Sequence, residues 1–483
     1  MRTTYLLAVF TVALGAVITA TSADSPDPKK EDDTPVKWKK TVIDTAFRSE
    51  GVAIADINKD GKMDIVAGDV WYEAPDWKMH EIRPSKDYRK GEENVYSNCM
   101  ACWVDDINGD GWPDVIIIGF PGNPCHWYEN PGNKEGLWKE HEIWHSACNE
   151  TPQYVDLFGN GKRVLVMGWQ PKGKDNEGQM AWFAPGKDPT ELWEMHPISS
   201  TSIPDSYKIT SETLERMKKD EVPADVVAKL EPLRDKTFDS SKAMTDAADA
   251  LWTKEETAAN QAKLKKHGTI PGKIIHGTFR FSHGLGVGDV NGDGRLDVLC
   301  TEGWWEQPEK TDGKTPWTFH PAKLSDSCAD MFCYDTQGDG KADIISSSAH
   351  NFGIWCYLQK PPNKDGHPEF VKTDLFPKLV SQTHAMHCVD INGDGVKDLV
   401  TGKRWWAHGP KGDADPTAPA TLYWFEAKRD KDGITKFIPH LIDDDSGIGT
   451  QFVVADFNGD KLPDIIVANK KGVFLFEQYR EKK

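Results

Sequence analysis

The sequence predicts an all-β protein, a seven-bladed β-propeller with a helical insertion between blades three and four. One loop motif, Asp-x-Asn-x-Asp-Gly-x-x-Asp, recurs with substitutions seven times, starting at Asp56, Asp106, Asp156, Asp289, Asp335, Asp390 and Asp456. Each copy is preceded and followed by similar short apolar and aromatic segments, which come in the same order. A repeat of this length indicates one unit that must stack on its neighbours to bury its apolar face. Four short strands per unit are typical of a propeller blade.

The parts of one repeat are clearest in the first copy. An apolar stretch precedes the loop, a β-rich run follows at residues 64–67, and the aromatic pair Trp71-Tyr72 comes next. A fourth run, residues 77–82, reads Trp-x-x-His-x-Ile. The first three loops start 50 residues apart, and the later gaps are 133, 46, 55 and 66 residues. The longest gap contains the insertion, residues 200–272.

The insertion predicts helices. Ser211 is typical of a capped helix start, and residues 226–233 and 243–266 also predict helix. The segment joins blade three to blade four beside Glu150 and His283, where we expect it to form a lid or substrate wall. A partner-docking surface and an inert excursion are the alternatives.

The two ends of the repeat array complement each other. The seventh copy ends after its third predicted strand, near residue 477, and residues 38–43 match the fourth-strand pattern ahead of the first loop. We therefore expect the N-terminal segment to complete the last blade and close the ring. Closure protects the strand edges that an open array would expose.

The N-terminus predicts export. Residues 1–23 combine Arg2, an apolar run over residues 6–20 and a small-residue cleavage site, as in a secretory signal peptide. A retained anchor is the alternative, although the run is short for a membrane span. Residues 24–35 predict a flexible lead-in, and residues 36–483 the propeller. The mature protein is then secreted or periplasmic, without a membrane span, and its net charge of −18 argues against a nucleic-acid partner.

The cysteines give little guidance. Nine is an odd number, so they cannot all pair within the chain. Cys99 and Cys102 form a CxxC without a second pair at zinc-site spacing, and we interpret them as packing residues. Cys99, Cys125 and Cys148 are candidates for a disulfide whose pairing the sequence leaves open.

The loop motif resembles the FG-GAP repeat, also called the VCBS repeat, of integrin-type propellers, and the resemblance covers the mature chain apart from the insertion. The Trp-Tyr-Glu-x-Pro runs at residues 71–75 and 127–131, with His at blade starts, are similar to one branch, the β-propeller domain of aldos-2-ulose dehydratases. The first resemblance implies a propeller fold. The second implies a sugar-processing activity.

Six of the seven loops predict structural calcium sites. Asp, Asn and Asp at positions 1, 3 and 5 place oxygen atoms on one side of a tight turn, Gly at position 6 permits the bend, and Asp at position 9 completes an oxygen set that suits calcium. A metal-free polar turn is the alternative. The loop starting at Asp156 has Phe158 and Val164 at two ligand positions and is expected to bind no metal. The predicted ligands are Asp56, Asn58, Asp60, Asp64, Asp106, Asn108, Asp110, Asp114, Asp289, Asn291, Asp293, Asp297, Asp335, Gln337, Asp339, Asp343, Asp390, Asn392, Asp394, Asp398, Asp456, Asn458, Asp460 and Asp464.

Counting back six residues from each loop start aligns the beginnings of the inner strands. This register holds four titratable side chains, Glu50, Glu150, His283 and His384. Equivalent positions in a closed ring lie on a circle about its axis, so we expect these side chains to converge and to be catalytic. Two His with carboxylates suit zinc or another divalent metal with an open position, or act without metal as base and acid. Polar residues that line a wet channel are the alternative.

Further polar residues are predicted on the same side of the ring. Those assigned to substrate binding are His387, Asp330, Gln451, Lys403, Arg404 and Glu302. For Lys403 and Arg404 a solvated loop is the alternative. His126, His350 and His408 also fall on this side, near connections between second and third strands.

Two classes of function fit these observations. One is a lyase or dehydratase, a carbon–oxygen lyase acting on a sugar or sugar-derived ketone. The other is a non-catalytic carbohydrate- or protein-binding propeller of the adhesion type. The register favours the enzyme, because an adhesion module does not need two His and two Glu there. The expected partner is a carbohydrate or a sugar-derived small molecule.

Overall fold

The computed structural model describes residues 35–89, 95–132, 134–174, 177–364, 366, 368–431, 433 and 435–481. The predicted signal peptide, residues 1–23, and the lead-in up to residue 34 lie outside the described residues. Within the described ranges, no helix is both long enough and apolar enough to span a bilayer.

Seven groups of four antiparallel strands contain 28 of the 31 strands in the described ranges. Strand β1 (Val36–Asp44) belongs to the last group. Sheet one contains β2 (Ala53–Ala55), β3 (Asp64–Ala67), β4 (Val70–Glu73) and β5 (Lys78–Glu81). Sheet two contains β6 (Ala101–Asp105), β7 (Asp114–Ile118), β8 (Cys125–Glu129) and β9 (Lys139–Trp144). Sheet three contains β10 (Gln153–Val155), β11 (Val164–Trp169), β12 (Gln179–Ala184) and β13 (Glu194–Pro197).

The insertion follows sheet three and is a small unit with its own core. It contains three short strands, β14 (Ser206–Lys208), β15 (Thr237–Phe238) and β16 (Thr269–Ile270), and four helices, α1 (Ser211–Lys219), α2 (Ala224–Ala228), α3 (Ser241–Asp249) and α4 (Lys254–Gly268). A 3₁₀ helix spans Glu231–Leu233. The helices bury one shared cluster that includes Leu214, Met217, Leu230, Met244 and Leu264.

The helix boundaries differ from the predicted ones. Helix α1 is capped by Thr210, one residue before the predicted Ser211. The single helix predicted over 243–266 is two helices, because Thr253 starts α4 with a capping box to Glu256. Trp252, between α3 and α4, is buried. The spacing of apolar residues therefore continues from one helix into the next, and this spacing alone does not reveal that the helix is interrupted.

The remaining strands resume the four-stranded pattern. Sheet four contains β17 (Leu285–Gly288), β18 (Asp297–Cys300), β19 (Gly303–Glu306) and β20 (Thr318–Pro321). Sheet five contains β21 (Asp330–Tyr334), β22 (Asp343–Ser347), β23 (Ile354–Lys360) and β24 (Glu369–Asp374). Sheet six contains β25 (Met386–Val389), β26 (Asp398–Gly402), β27 (Leu422–Arg429) and β28 (Thr435–Asp443). Sheet seven contains β29 (Val453–Ala455), β30 (Asp464–Asn469) and β31 (Gly472–Arg480), followed by β1.

The N-terminal strand completes the last sheet, as the sequence predicts. Strand β1 pairs with β31 in antiparallel register, from Val36 opposite Arg480 to Asp44 opposite Val473. One inter-sheet pairing also occurs: β17 runs parallel to β21, which joins sheets four and five into one eight-stranded sheet.

Neighbouring sheets are held together by shared apolar clusters. The second strand of each sheet is the most deeply buried, as in β7, where all five residues are buried. Val66 of sheet one packs in the same cluster as Ile117 of sheet two, and further clusters join each sheet to the next up to sheet six. The largest cluster contains Val400 of sheet six, Ile466 of sheet seven and Ile65 of sheet one. Burial of each such side chain stabilises the fold by about 1.5–3 kcal/mol.

The histidines of the fourth strands are structural, as their repetition predicts. Each stacks on a Trp of the third strand, with ring centroids 4.2 Å apart for Trp71 and His80 and 4.4 Å for Trp424 and His440. Four of these five His also face a Glu of the third strand, as His80 Nε2 does at 2.8 Å from Glu73 Oε2, and His196 is the exception. Other pairs of this kind are Trp127–His141, Trp182–His196 and Trp304–His320.

The last Asp of the loop motif has a structural role that the motif alone does not reveal. Asp114 is fully buried, and its Oδ2 accepts the Ile107 amide at 3.0 Å while its Oδ1 accepts the Asn130 amide at 2.9 Å. This carboxylate therefore fastens the loop to the end of the third strand. Five other loops repeat the arrangement, through Asp64, Asp297, Asp343, Asp398 and Asp464.

None of the nine cysteines forms a disulfide in the structure, and seven of them are buried. The disulfide considered for Cys99, Cys125 and Cys148 is therefore absent among the described residues. Cys102 packs in the cluster between sheets one and two, in agreement with its interpretation as a packing residue.

We predict that Asp114→Ala lowers the free energy of unfolding by roughly 2–4 kcal/mol, because two buried amides lose their acceptor at about 1–3 kcal/mol each. Urea denaturation checks this. It should be run in excess chelator, so that any metal bound to the loop does not contribute. Asp374→Ala, at an exposed position at the end of β24, is the matched control and should change little. If Asp114→Ala no longer lowers the free energy of unfolding when chelator is present, then Asp114 acts only as a metal ligand.

Candidate functional site

The predicted register places four side chains at one point. Glu50 precedes β2, Glu150 precedes β10, His283 precedes β17 and His384 precedes β25, so they come from sheets one, three, four and six. The structure brings all four together around Arg404. With His350, which follows β22 in sheet five, they form what we call the histidine–glutamate cluster: Glu50, Glu150, His283, His350, His384 and Arg404.

Arg404 is the buried centre of this cluster. Its side chain is 2% exposed, its Nη2 lies 2.6 Å from Glu50 Oε1, and its Nη1 lies 2.9 Å from Glu150 Oε2. Glu50 also accepts hydrogen bonds from the amide and the hydroxyl of Ser97. The sequence assigned Arg404 to substrate binding. The structure places it instead as the counter-ion of two carboxylates from different sheets, because a charge buried this deeply must be paired.

Arg404 sets the charge state of its neighbours. Burial alone would raise the pKa of Glu150, but the attraction of the guanidinium, together with His283 and His384, holds that pKa well below its ordinary value. Burial lowers the pKa of His384 well below its ordinary value, and the positive charge of Arg404 lowers it further. At neutral pH the cluster therefore holds an ionised Glu150 beside a neutral His384.

Three imidazoles converge beside the carboxylates. His283, His350 and His384 each offer one ring nitrogen within 4.8 Å of one from each of the others. Glu150 Oε2 lies 3.6 Å from His283 Nε2 and 3.9 Å from His384 Nε2. The sequence placed His350 on the correct side but not in the cluster, because it lies on a connection whose course the repeat pattern does not specify.

Four of the six ring nitrogens of these histidines form no hydrogen bond among the described residues. Both nitrogens of His384, the Nε2 of His283 and the Nδ1 of His350 are buried and make no hydrogen bond within the described residues. Buried polar atoms are nearly always hydrogen-bonded, so several unpaired atoms in one place indicate a bound ion, water or ligand. Neutral imidazoles are ligands for zinc and similar divalent metals.

An aromatic surface lies on one side of the cluster. The Tyr96 ring centroid is 5.8 Å from the guanidinium carbon of Arg404 and 5.3 Å from the ring of Phe120, which contacts Phe281 at 5.3 Å. Lys470 Nζ lies 4.8 Å from the Tyr96 ring, and burial lowers the pKa of Lys470 to about 8. Nothing in the repeat pattern indicated Tyr96 or Lys470, since both lie outside the aligned strand starts.

The other residues assigned to substrate binding are mostly tied into the fold. Lys403 is buried, and its Nζ donates to Ser381 Oγ and to the carbonyl of Asp415, both at 2.6 Å. Gln451 Oε1 accepts the amide of Val52, and His387 Nε2 lies 2.9 Å from the Phe452 carbonyl oxygen. The contacts of Gln451 and His387 join the inner-strand regions of neighbouring sheets, and those of Lys403 tie together connections around sheet six.

Asp330 and Glu302 differ from this group. Asp330 is buried, accepts hydrogen bonds from Thr151 Oγ1 and the Met386 amide, and its pKa is raised by burial to about 7. Its partners follow Glu150 and His384 in the chain, so it lies next to the cluster. Glu302 is partly exposed and lies 3.2 Å from Lys323 Nζ. No described contact joins Glu302 to the histidine–glutamate cluster.

The loop motifs form tight turns around their first Asp. Asp56 Oδ1 accepts the Asp60 amide and its Oδ2 accepts the Gly61 amide, both at 2.9 Å. Asp156, in the loop that lacks two ligand positions, makes the same turn. The turn therefore forms without the full ligand set. The oxygen-only donors of the other six loops have the chemistry that calcium requires.

Comparison with known proteins identifies the repeat. A family model described as an FG-GAP-like repeat matches residues 335–401, which begin at the fifth loop and end in β26. This segment is therefore similar to an FG-GAP-like repeat. This supports the repeat family expected from the loop motif, while the relation to aldos-2-ulose dehydratases stays a prediction. No curated protein matches the chain.

Solved structures similar to the chain include two proteins of carbohydrate biology. One is an Agrocybe aegerita lectin that recognises non-reducing terminal N-acetylglucosamine (13% identity, 90% of this chain and 86% of that chain covered, TM-score 0.36). The other is the rhamnogalacturonan lyase YesW (12% identity, 92% and 74% covered, TM-score 0.36). At TM-scores below 0.5 these similarities carry no argument about function.

We predict that Arg404→Met lowers the free energy of unfolding by about 3–5 kcal/mol at pH 7, because two buried carboxylates lose their counter-ion. The pKa of Glu150 is lowered by folding, so its contribution to stability is present above the unfolded pKa of about 4.3 and is lost as the pH falls. The difference between wild type and variant should therefore persist from pH 7 down to about 4.3 and shrink only as the pH falls below that value.

Urea denaturation at several pH values measures this difference. Arg216→Met is the matched control, because Arg216 makes an exposed ion pair with Glu212 at 2.7 Å and should contribute less than about 1 kcal/mol. An Arg404→Met protein as stable as the wild type at pH 7 would contradict the counter-ion role.

Proposed function

We propose that this protein is an exported, calcium-stabilised, seven-bladed propeller with a sugar-processing lyase (dehydratase) site, and that the site is the histidine–glutamate cluster working with a divalent metal. The observation that carries the proposal is the convergence of three imidazoles, which hold four buried nitrogens without a hydrogen bond, with two carboxylates from different sheets. Such a concentration of titratable groups with shifted pKa values is typical of functional sites.

The ring arrangement is supported by two sets of contacts. Shared apolar clusters run from sheet to sheet, and one cluster joins sheets six, seven and one. The histidine–glutamate cluster draws its residues from sheets one, three, four, five and six. Sheets so far apart in the chain reach one point when their inner strands surround a common axis.

The chemistry follows from the charge states. A bound divalent metal would polarise the carbonyl of an oxidised sugar, which acidifies the adjacent C–H. His283 and His384 would hold that metal or orient the substrate. The low pKa of Glu150 suits a ligand or an orienting carboxylate better than a general base. Lys470 lies on the Tyr96 side of the cluster and has a pKa of about 8. This value is closer to neutral than that of Glu150 and suits a general base better.

A sugar-type substrate is supported by the aromatic surface. Tyr96, Phe120 and Phe281 present a row of rings beside the cluster, and Arg280 lies over Phe281 at 4.8 Å. Small-molecule sites combine aromatic walls with a few convergent polar groups. A non-catalytic carbohydrate-binding propeller would use the same surface, so turnover decides between the two classes.

We predict that the purified protein converts an oxidised sugar, such as an aldos-2-ulose, and that His283→Ala and His384→Ala each lower turnover by at least about 100-fold. Product release should be followed with bound metal measured on the same samples. His440→Ala removes a repeated fourth-strand histidine and should keep full turnover. Sugar binding without turnover in the wild type would favour the adhesion-type alternative.

We also propose that six loops bind calcium, on the basis of their oxygen donors and tight turns. Calcium removal should lower the melting temperature by about 5 °C or more, because an ion bound only by the native state stabilises it. Protein shown by elemental analysis to be calcium-loaded should be melted before and after chelation. Magnesium at the same concentration is the control. An unchanged melting temperature on complete removal would show that the loops are metal-free polar turns.

A further inference from the structure

The aromatic surface beside the histidine–glutamate cluster carries an exposed cation, Arg280. This residue lies between the insertion and β17, and its guanidinium carbon is 4.8 Å from the ring centroid of Phe281 and 5.8 Å from that of Phe120. Phe281 comes two residues before His283 in the chain. A molecule that packs on the Phe281 ring is therefore placed at the edge of the cluster.

The side chain of Arg280 is held in one orientation. Its Nε donates to the Pro121 carbonyl at 2.8 Å. Gly122 lets the side chain lie close to this connection, since a Cβ at that position would come within 2.9 Å of Arg280 Nε. The rings of Phe120 and Phe281 flank the guanidinium, as in a cation–π contact. These contacts fix the guanidinium and leave its Nη1 and Nη2 atoms available to a ligand.

The available Nη atoms distinguish Arg280 from other arginines of the chain. Arg83 and Arg404 pair with buried carboxylates. Arg89 and Arg429 face no carboxylate among the described residues, but their Nη atoms donate to backbone carbonyls. In the same described ranges Arg280 has neither kind of partner for its Nη atoms, although the chain carries a net charge of −18. Two parallel N–H donors of this kind match the geometry of an oxyanion such as a carboxylate.

The backbone holds Phe281 in a conformation that bulky residues seldom adopt. Its φ is 64°, in the left-handed region. The Phe281 amide donates to the Cys148 carbonyl at 3.0 Å, and Ser282 pairs with Asn149 in a parallel bridge, so contacts with the segment before Glu150 enforce this φ. The ring is nevertheless 40% exposed, so it contributes little to the core. Because strained residues concentrate at ligand-binding sites, the exposed ring is best explained by a binding role.

We propose that Arg280 and the rings of Phe281 and Phe120 form a subsite for an anionic group carried by a sugar, so that the substrate class of the cluster is an acidic sugar. The sugar packs its C–H face on the aromatic rings. Its carboxylate or sulfate ester accepts hydrogen bonds from Arg280 Nη1 and Nη2. The inference rests on the proposed function for the ligand being a sugar, and binding at this subsite requires no metal.

Sugar binding by the full chain tests the subsite. The protein is stripped of transition metal in calcium-containing buffer, so that no anion can bind to a metal in the cluster. Its affinities for glucuronate, glucose 6-sulfate and glucose are then measured by isothermal titration calorimetry. We expect one of the two anionic sugars to bind at least about 10-fold more tightly than glucose, and the tighter one identifies the group. Equal affinities, or no binding of any of the three, would overturn the inference.

Substitution of Arg280 shows whether the preference comes from this guanidinium. Arg280→Gln should abolish the preference and leave the affinity for glucose and the melting temperature unchanged, because the residue is exposed. Arg280→Lys should keep part of the preference, since an ammonium retains the charge but not the planar pair of donors. Arg216→Gln, at an exposed arginine of α1, is the matched control and should bind as the wild type does. An undiminished preference in Arg280→Gln would overturn the inference.

Substitution of Phe281 tests the aromatic part of the subsite. Phe281→Gly accepts the left-handed φ without strain and should weaken the binding of all three sugars alike, by about 10-fold. Unchanged binding would overturn the role of the ring. Turnover of a neutral oxidised sugar, with no preference for anionic sugars, would overturn this inference and leave the lyase function. A preference that depends on Arg280, without turnover of any oxidised sugar, would leave the subsite and overturn the lyase function.

Discussion

The buried guanidinium of Arg404 is the interaction on which the site depends. It follows β26 in sheet six and reaches Glu50 from sheet one and Glu150 from sheet three. A charge at 2% exposure is tolerated only when it is paired, so these three segments must meet at one point. The same contact keeps Glu150 ionised beside the imidazoles of His283 and His384. The electrostatics that fix the geometry therefore also keep His384 neutral beside an ionised Glu150.

The repeat supplies the frame in which this contact can form. Buried carboxylates such as Asp114 fasten each loop to its third strand, and Trp–His stacks such as Trp71 on His80 repeat on the fourth strands. These features recur from sheet to sheet and are structural. The residues of the cluster are departures from the repeat, at strand starts and on the connections that follow second strands. In this chain, function is therefore most readily found where the copies differ.

Counting along the repeat predicted much of this arrangement and missed what the repeat does not encode. The pairing of β1 with β31 and the meeting of Glu50, Glu150, His283 and His384 follow from register, because equivalent positions in equivalent strands take equivalent places. The place of His350 depends instead on the irregular connection that follows β22. The sequence assigned Lys403 and Arg404 to substrate binding, with a solvated loop as the alternative, since their burial becomes evident only when the sheets that surround them are assembled.

In the proposed function, the histidine–glutamate cluster holds one divalent metal beside the buried network of Arg404, Glu50 and Glu150. An experimental structure of the purified protein, with anomalous scattering collected on both sides of the zinc absorption edge, tests this most directly. We expect a single anomalous peak in contact with His283 and His384, with Arg404 still bound to Glu50 and Glu150. Imidazoles that lie far apart, or no peak between them in metal-loaded protein, would contradict the proposal.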